Sequence, residues 1–182
     1  MLDRLKGILF EPRAEWPKIA AEPATTQSIY AKWVMILAAI GPLAILASGG
    51  EARIQAAIGL YLMALVVTFI IALIIDALAP AFGGERELVG ALKLAAYSST
   101  AVLIANVFQF AAIQGVVLWL ALIYAWYTFF VGAPVLKKCA SNKAVPFSIA
   151  LVLCAIALIL VFSIALSGLG IIPKVSGTPM MH

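Results

Sequence analysis

Residues 94–136 read LAAYSSTAVLIANVFQFAAIQGVVLWLALIYAWYTFFVGAPVL, 43 consecutive positions without a charged side chain. A helix needs about 20 apolar residues to cross roughly 30 Å of hydrocarbon, so this run is long enough for two spans. Gln114-Gly115, a polar residue beside a helix breaker, sits near its middle and divides it into 94–113 and 116–136. Three further charge-free runs flank it, 33–50, 54–75 and 144–173, of 18, 22 and 30 residues. They predict spans at 30–48, 55–79 and a single tilted helix over 145–172. The sequence thus predicts an all-α integral membrane protein, a bundle of five transmembrane helices.

Composition excludes the other classes. The chain is 65% apolar and 11% charged, against about 45–50% and about 25% in a soluble domain. Disorder, a disulfide scaffold and a nucleic-acid-binding domain are excluded. Cys139 and Cys154, in a loop on the cytoplasmic side and inside the last span, are expected as free thiols.

Orientation follows from the basic residues. Arg4, Lys6, Arg13, Lys18, Lys32, Arg86, Lys93, Lys137, Lys138 and Lys143 fall on one side, ten of the 12; only Arg53 and Lys174 fall on the other. The N-terminus is expected in the cytoplasm, and the tail 173–182 outside. No apolar signal-peptide core stands near the start, so the first span is expected to serve as its own insertion signal.

The segment 1–29 reads as cytoplasmic and interfacial. Leu2, Leu5, Ile8 and Leu9 recur at helical spacing and predict a short amphipathic helix on the membrane surface, carrying Arg4 and Lys6. Pro12 stops it, and a second short helix follows around 15–21, with Trp16 as an interfacial anchor. The segment either anchors on the bundle or offers a face to a partner. Lys137, Lys138 and Lys143 could attract anionic headgroups, though the orientation rule alone accounts for them. Phe82-Gly83-Gly84-Glu85 reads as a turn, placing Glu85 and Glu87 at the positive start of the next helix.

Groups for chemistry are scarce. His182, the last residue, is the single histidine, which excludes histidine-based metal sites and triads in practice. No nucleophile elbow, phosphate-binding loop or dinucleotide fingerprint occurs. No cofactor, metal or catalytic residue is predicted, and an enzyme is not expected. Asp76 is the one acid within a span, near its cytoplasmic end. Pairing with Lys93, which opens the next helix, would tie the second and third spans; an ion-linked role or a partner contact are the other readings. The third span holds Tyr97, Ser99, Asn106 and Gln109. Asn106 and Gln109 share a face, and Ser99 with Ala95 forms a small-residue patch. These residues read as polar glue between helices, or as the lining of a cavity. Gly41-Pro42 should kink the first span and is a candidate hinge.

Read end to end, the chain resembles the Yip family, in its bacterial-type form. The resemblance is carried by Ile8-Leu9-Phe10-Glu11-Pro12, Trp16, Ile19-Ala20-Ala21-Glu22 and Ile29-Tyr30. It continues through Pro80-Ala81-Phe82-Gly83-Gly84, Ala95-Ala96-Tyr97-Ser98 and Gly132-Ala133-Pro134-Val135-Leu136. It implies a helical bundle acting without catalysis, as a membrane-organising or partner-binding protein resembling trafficking factors, in a bacterial inner membrane. The cytosolic region before the first span is short, and the family's Gly-Tyr stands here as Ala96-Tyr97; both count against a Rab-type GTPase partner. The partners expected are the bilayer, other membrane proteins, or a second copy in a dimer. The competing reading is a small transporter, channel or lipid-moving protein using Asp76 and the polar face of the third span.

Overall fold

A computed structural model describes residues 1–47, 52–108 and 110–168. Every regular element among them is helical. Two short helices, α1 (Leu2–Phe10) and α2 (Pro12–Ala21), precede five longer helical segments. These are α3 (Thr26–Ala47), α4 (Ala52–Leu78), α5 (Leu88–Phe108), α6 (Gln114–Lys137) and α7 (Ala144–Gly168). Four stretches are long and apolar enough to cross a membrane: α3, α4 with its extension to Phe82, α5 and α6. Ile54, Ile58, Leu62, Val66 and Leu73 stand exposed along α4. An apolar face of that extent suits acyl chains better than water.

Local chemistry sets the boundaries. Pro12 lacks the N–H that would continue α1 and opens α2, where its fixed φ is suited. Thr25 and Ser28 form a reciprocal capping box at the start of α3, with N···O distances of 3.1 and 2.9 Å. After α4 a 3-10 turn, Ala79–Phe82, ends at Gly83, whose φ of 75° lies in the left-handed region that glycine tolerates. The turn at Phe82-Gly83-Gly84-Glu85 stands where the sequence placed it. Glu87 then caps α5: its carboxylate accepts from Val89 N–H at 2.9 Å and from Gly90 N–H.

Helix α5 is the axis of the bundle. Ala91, Leu92, Leu94 and Ala96 are completely buried between α4 and α6. The helix loses regularity at Ser99, inside the run Ser98-Ser99-Thr100. The hydroxyls of Ser99 and Thr100 both donate to the carbonyl of Ala96, a back-bonding pattern that bends helices. Helix α7 packs through Phe147, with ring centroids 5.3 Å from Phe82 and 5.5 Å from Phe129.

Several boundaries differ from those expected. Helix α5 begins at Leu88, six residues before the predicted 94, because Lys93 lies inside the packed helix rather than at the membrane surface. Helix α3 likewise begins earlier, at Thr26 where the expected span began at 30. Gln114 and Gly115 are helical, and the chain reverses before them. The reversal is closed by Ala111 N–H to Phe108 and Gln114 N–H to Ala111, at 2.8 and 3.0 Å. Gln109 and residues 169–182 lie outside the described residues.

The α1–α2 hairpin packs on the bundle, the first of the two readings of this segment. Ile8, Trp16 and Ile19 are each at most 1% exposed, inside the core that joins α5 and α6. The helical stripe was read correctly as apolar. Its Ile8 is buried by protein, while Leu2 at the start of α1 stays 71% exposed.

Candidate functional site

The residues with distinctive chemistry converge on two places at the end of the bundle that carries Arg86, Lys93, Lys137 and Lys138, here the basic end. The first is the seat of the α1–α2 hairpin. Trp16 is completely buried, and its indole Nε1–H donates to the Thr128 carbonyl at 3.0 Å. Its ring lies against Gly132 of α6, where a Cβ would fall 2.4 Å from Trp16 Cε2. Glycine is therefore required for the indole to enter. Trp16 also meets the edge of Tyr97 on α5, centroids 6.4 Å apart. Tyr97 in turn packs on Trp33 of α3 at 4.6 Å, and Trp33 Nε1–H donates to Thr100 Oγ1 at 3.1 Å.

Trp16 is thus a keystone between α5 and α6, not an interfacial anchor. An indole with its single donor satisfied has no need of the wet interface. Deeper along α6, the Tyr124 hydroxyl donates to the carbonyls of Ile8 and Leu9, at 3.0 and 2.9 Å. Thr128 and Tyr124 stand nine and 13 residues from Lys137. At 1.5 Å per residue that is about 14 and 20 Å into the bundle. The hairpin runs along the bundle and not across its end.

Lys93 holds the hairpin's other end. Its ammonium is buried and donates to the Ile19 and Glu22 carbonyls at 2.8 and 2.6 Å, closing the open C-terminus of α2. Arg4 of α1 pairs with Glu15 Oε1 at 3.2 Å and with Glu22. Through these two pairs it braces the hairpin. Lys6 is exposed.

The second place is a knot around Asp76. Lys137 Nζ lies 2.8 Å from Asp76 Oδ1 and donates to the Glu87 carbonyl at 3.1 Å. The Glu87 N–H reaches the same Asp76 oxygen at 2.7 Å, and Glu85 N–H donates to the Lys137 carbonyl at 2.9 Å. Asp76 therefore ties α4 to α6 and to the loop before α5. The expected Asp76–Lys93 pair does not form, because Lys93 is taken up by the α2 carbonyls. Lys137, counted among the interfacial basic residues, is completely buried. Lys138 does reach the surface, 2.8 Å from Glu85, and this pairing raises the pKa of its ammonium. Burial pushes the Cys139 thiol above its ordinary pKa.

Ser98 Oγ is buried without a hydrogen-bond partner among the described residues. Gly41 and Pro42 are buried, and a Cβ on Gly41 would lie 3.2 Å from both Asn106 Cβ and Leu60 Cδ2. This pair is a helix-crossing point, with α3 interrupted at Ala39, three residues before the proline. Two signals in the sequence were missed. Gly132 is the seat of Trp16, and Lys137 differs from its neighbour Lys138 by facing inward. Among the described residues no group of three His, Cys, Asp or Glu could hold a metal ion.

Four residues in the segments that carry the family resemblance, Trp16, Glu22, Tyr97 and Gly132, lock the hairpin. No curated protein and no solved structure is a match to the chain. A family model, the Yip1 domain, matches residues 6–165, most of the chain from the first helix into α7, and the protein belongs to that family.

Proposed function

We propose that this Yip1 domain protein works by contact rather than catalysis, with the outward face of the α1–α2 hairpin as its docking surface for a membrane protein partner. One observation carries the reading. The hairpin is seated against α5 and α6, and away from that seat it exposes Lys6, Glu11 and Arg13 beside Phe10, which is 80% exposed. Charged side chains facing hydrocarbon cost about 2.5–3.5 kcal/mol each near the bilayer centre. A mixed apolar and charged face is suited to a protein surface. The ionic groups deeper in the bundle are engaged in structural ties, which supports a role without chemistry and gives no advantage to the transporter reading.

The same proposal includes five spans. Helix α7 has 25 residues, enough at about 1.5 Å each to cross the hydrocarbon. Five crossings would put the two ends on opposite sides, and the ten-to-two division of basic residues supports a cytoplasmic N-terminus for a protein of a bacterial inner membrane. The test is a photo-crosslinking residue at Phe10 or Arg13 in native membranes. Crosslinks to a protein partner or to a second copy are expected; crosslinks to lipid alone at both positions would overturn the reading.

A further inference from the structure

A cleft of about 460 Å³ lies between α1 and α3, lined by Arg4, Glu22, Lys32, Trp33, Ile36 and Tyr97. Three independent features meet there. Arg4 Nη1 is buried and has no hydrogen-bond partner among the described residues, while Nε and Nη2 of the same guanidinium are engaged by Glu15 and Glu22. Buried donors are nearly always satisfied, so an N–H left over at the wall of a cavity points to something that fills the cavity. Lys32 is exposed on the opposite wall and forms no ion pair among the described residues. Third, Lys32 and Trp33 sit in a π-helical turn, Tyr30–Val34, that interrupts α3 where it borders the cleft. Single π turns are frequent at functional sites, where they give up regular helix bonding.

Charge and polarity define the ligand. Among the charged side chains of the lining, Arg4 and Lys32 outnumber Glu22 by one, which favours an anion. The lining is also graded along α3. Lys32 stands six residues from Thr26, about 9 Å of helix rise, at the depth of headgroups for a span that starts there. Ile36 lies one turn deeper, next to exposed Met35, on a surface suited to an acyl chain. A fully water-soluble anion would leave that apolar half unused.

We infer that this cleft binds an anionic phospholipid, its phosphate between Arg4 Nη1 and the Lys32 ammonium and one acyl chain along Ile36 and Met35. The inference does not depend on the docking role of the hairpin, because the cleft opens between α1 and α3.

The full chain, purified in detergent, would be titrated with phosphatidylglycerol or phosphatidylcholine and read by native mass spectrometry. One phosphatidylglycerol per chain is expected in clear excess over phosphatidylcholine. Lys32→Gln should lower its retention about fivefold, the loss set by one basic residue at a membrane surface. Arg4→Lys, which keeps the charge but loses the third N–H direction, should lower it as well. Lys32 is exposed, so Lys32→Gln should melt like the parent. Equal retention of the two lipids, or unchanged retention in Lys32→Gln, would overturn the proposal. Displacement of the lipid by equimolar glycerol 3-phosphate would overturn it too, assigning the anion site to a soluble phosphate.

Discussion

Lys137 Nζ lies 2.8 Å from Asp76 Oδ1, with the lysine side chain completely buried and the aspartate 21% exposed. The pair is asymmetric, and so are the consequences of breaking it. Asp76→Asn strands a buried ammonium with neutral acceptors, whereas Lys137→Met leaves a carboxylate that still holds the Glu87 N–H and reaches solvent. Removing one partner of a fully buried pair costs about 3–5 kcal/mol, and the exposure of Asp76 places this pair at or below the lower end. Asp76→Asn should therefore destabilise by about 2–3 kcal/mol and Lys137→Met by less. The double variant should recover part of the loss. Thermal melts in one detergent, combined as a double-mutant cycle, check the order; equal effects of the two single variants would contradict it.

The seat of Trp16 gives a second prediction. Gly132→Ala places a methyl group 2.4 Å from the indole and cannot be absorbed without moving the hairpin. Overpacking of this kind costs about 1–3 kcal/mol. Trp16→Ala leaves a cavity instead, at about 3–5 kcal/mol. Both should free the hairpin first, so trypsin should cut at exposed Arg13 and Lys18 while the bundle stays folded. Uniform unfolding with no early cut in the hairpin would show that it is not a separate docked unit.

Lys93 was placed at a span boundary and belongs to the core. Lys93→Met keeps the length of the side chain and removes its donors, orphaning the Ile19 and Glu22 carbonyls at the end of α2. Each unsatisfied buried carbonyl costs about 1–3 kcal/mol, partly recovered wherever water reaches it. The expected result is faster amide hydrogen exchange in 18–22 than in parent protein, with α6 unaffected.

These cases also mark how much the sequence disclosed. Apolar runs without charge give the helices, because burial in lipid or protein selects the same residues, and Gly83 gives the turn after α4. The partners of the ionic groups were not legible. Asp76 has Lys93 only 17 positions away and Lys137 61 positions away, and chain distance favours the wrong lysine. Lys93 is diverted by two backbone carbonyls, acceptors that every residue possesses and no sequence pattern advertises. The stripe of Leu5, Ile8 and Leu9 showed that α1 has an apolar face, yet a membrane surface and a protein groove ask for the same stripe. What distinguishes them here is Gly132, 116 residues from the tryptophan it admits.

Lys138 supplies a prediction of the opposite sign. It closes α6 in the left-handed region, at φ 53° and ψ 25°, where a Cβ is strained and glycine is not. Its surface pair with Glu85 contributes little in water. Relief of the left-handed strain, about 1–2 kcal/mol, exceeds the entropic cost of glycine, about 0.5–1 kcal/mol, so Lys138→Gly should stabilise the protein by up to about 1 kcal/mol. A lower melting temperature would mean that the Glu85 pair outweighs the strain.

Cys139 follows Lys138 and lies in the loop outside the spans, 4% exposed. Burial raises its thiol pKa, so at pH 8 the folded protein holds the protonated form and the unfolded chain begins to release the proton. The sign for stability follows: the folded state keeps a proton that the unfolded state loses. Any contribution is complete below the ordinary thiol pKa and falls away as pH rises through the raised one. For reactivity the same burial removes the thiolate that alkylating reagents attack. In a Cys154→Ser background, maleimide labelling of the native protein at pH 8 should be at least tenfold slower than after denaturation, and should accelerate as the pH rises further. Rapid native labelling at pH 8 would show that the loop opens, and with it the segment that carries Lys137 into the Asp76 knot.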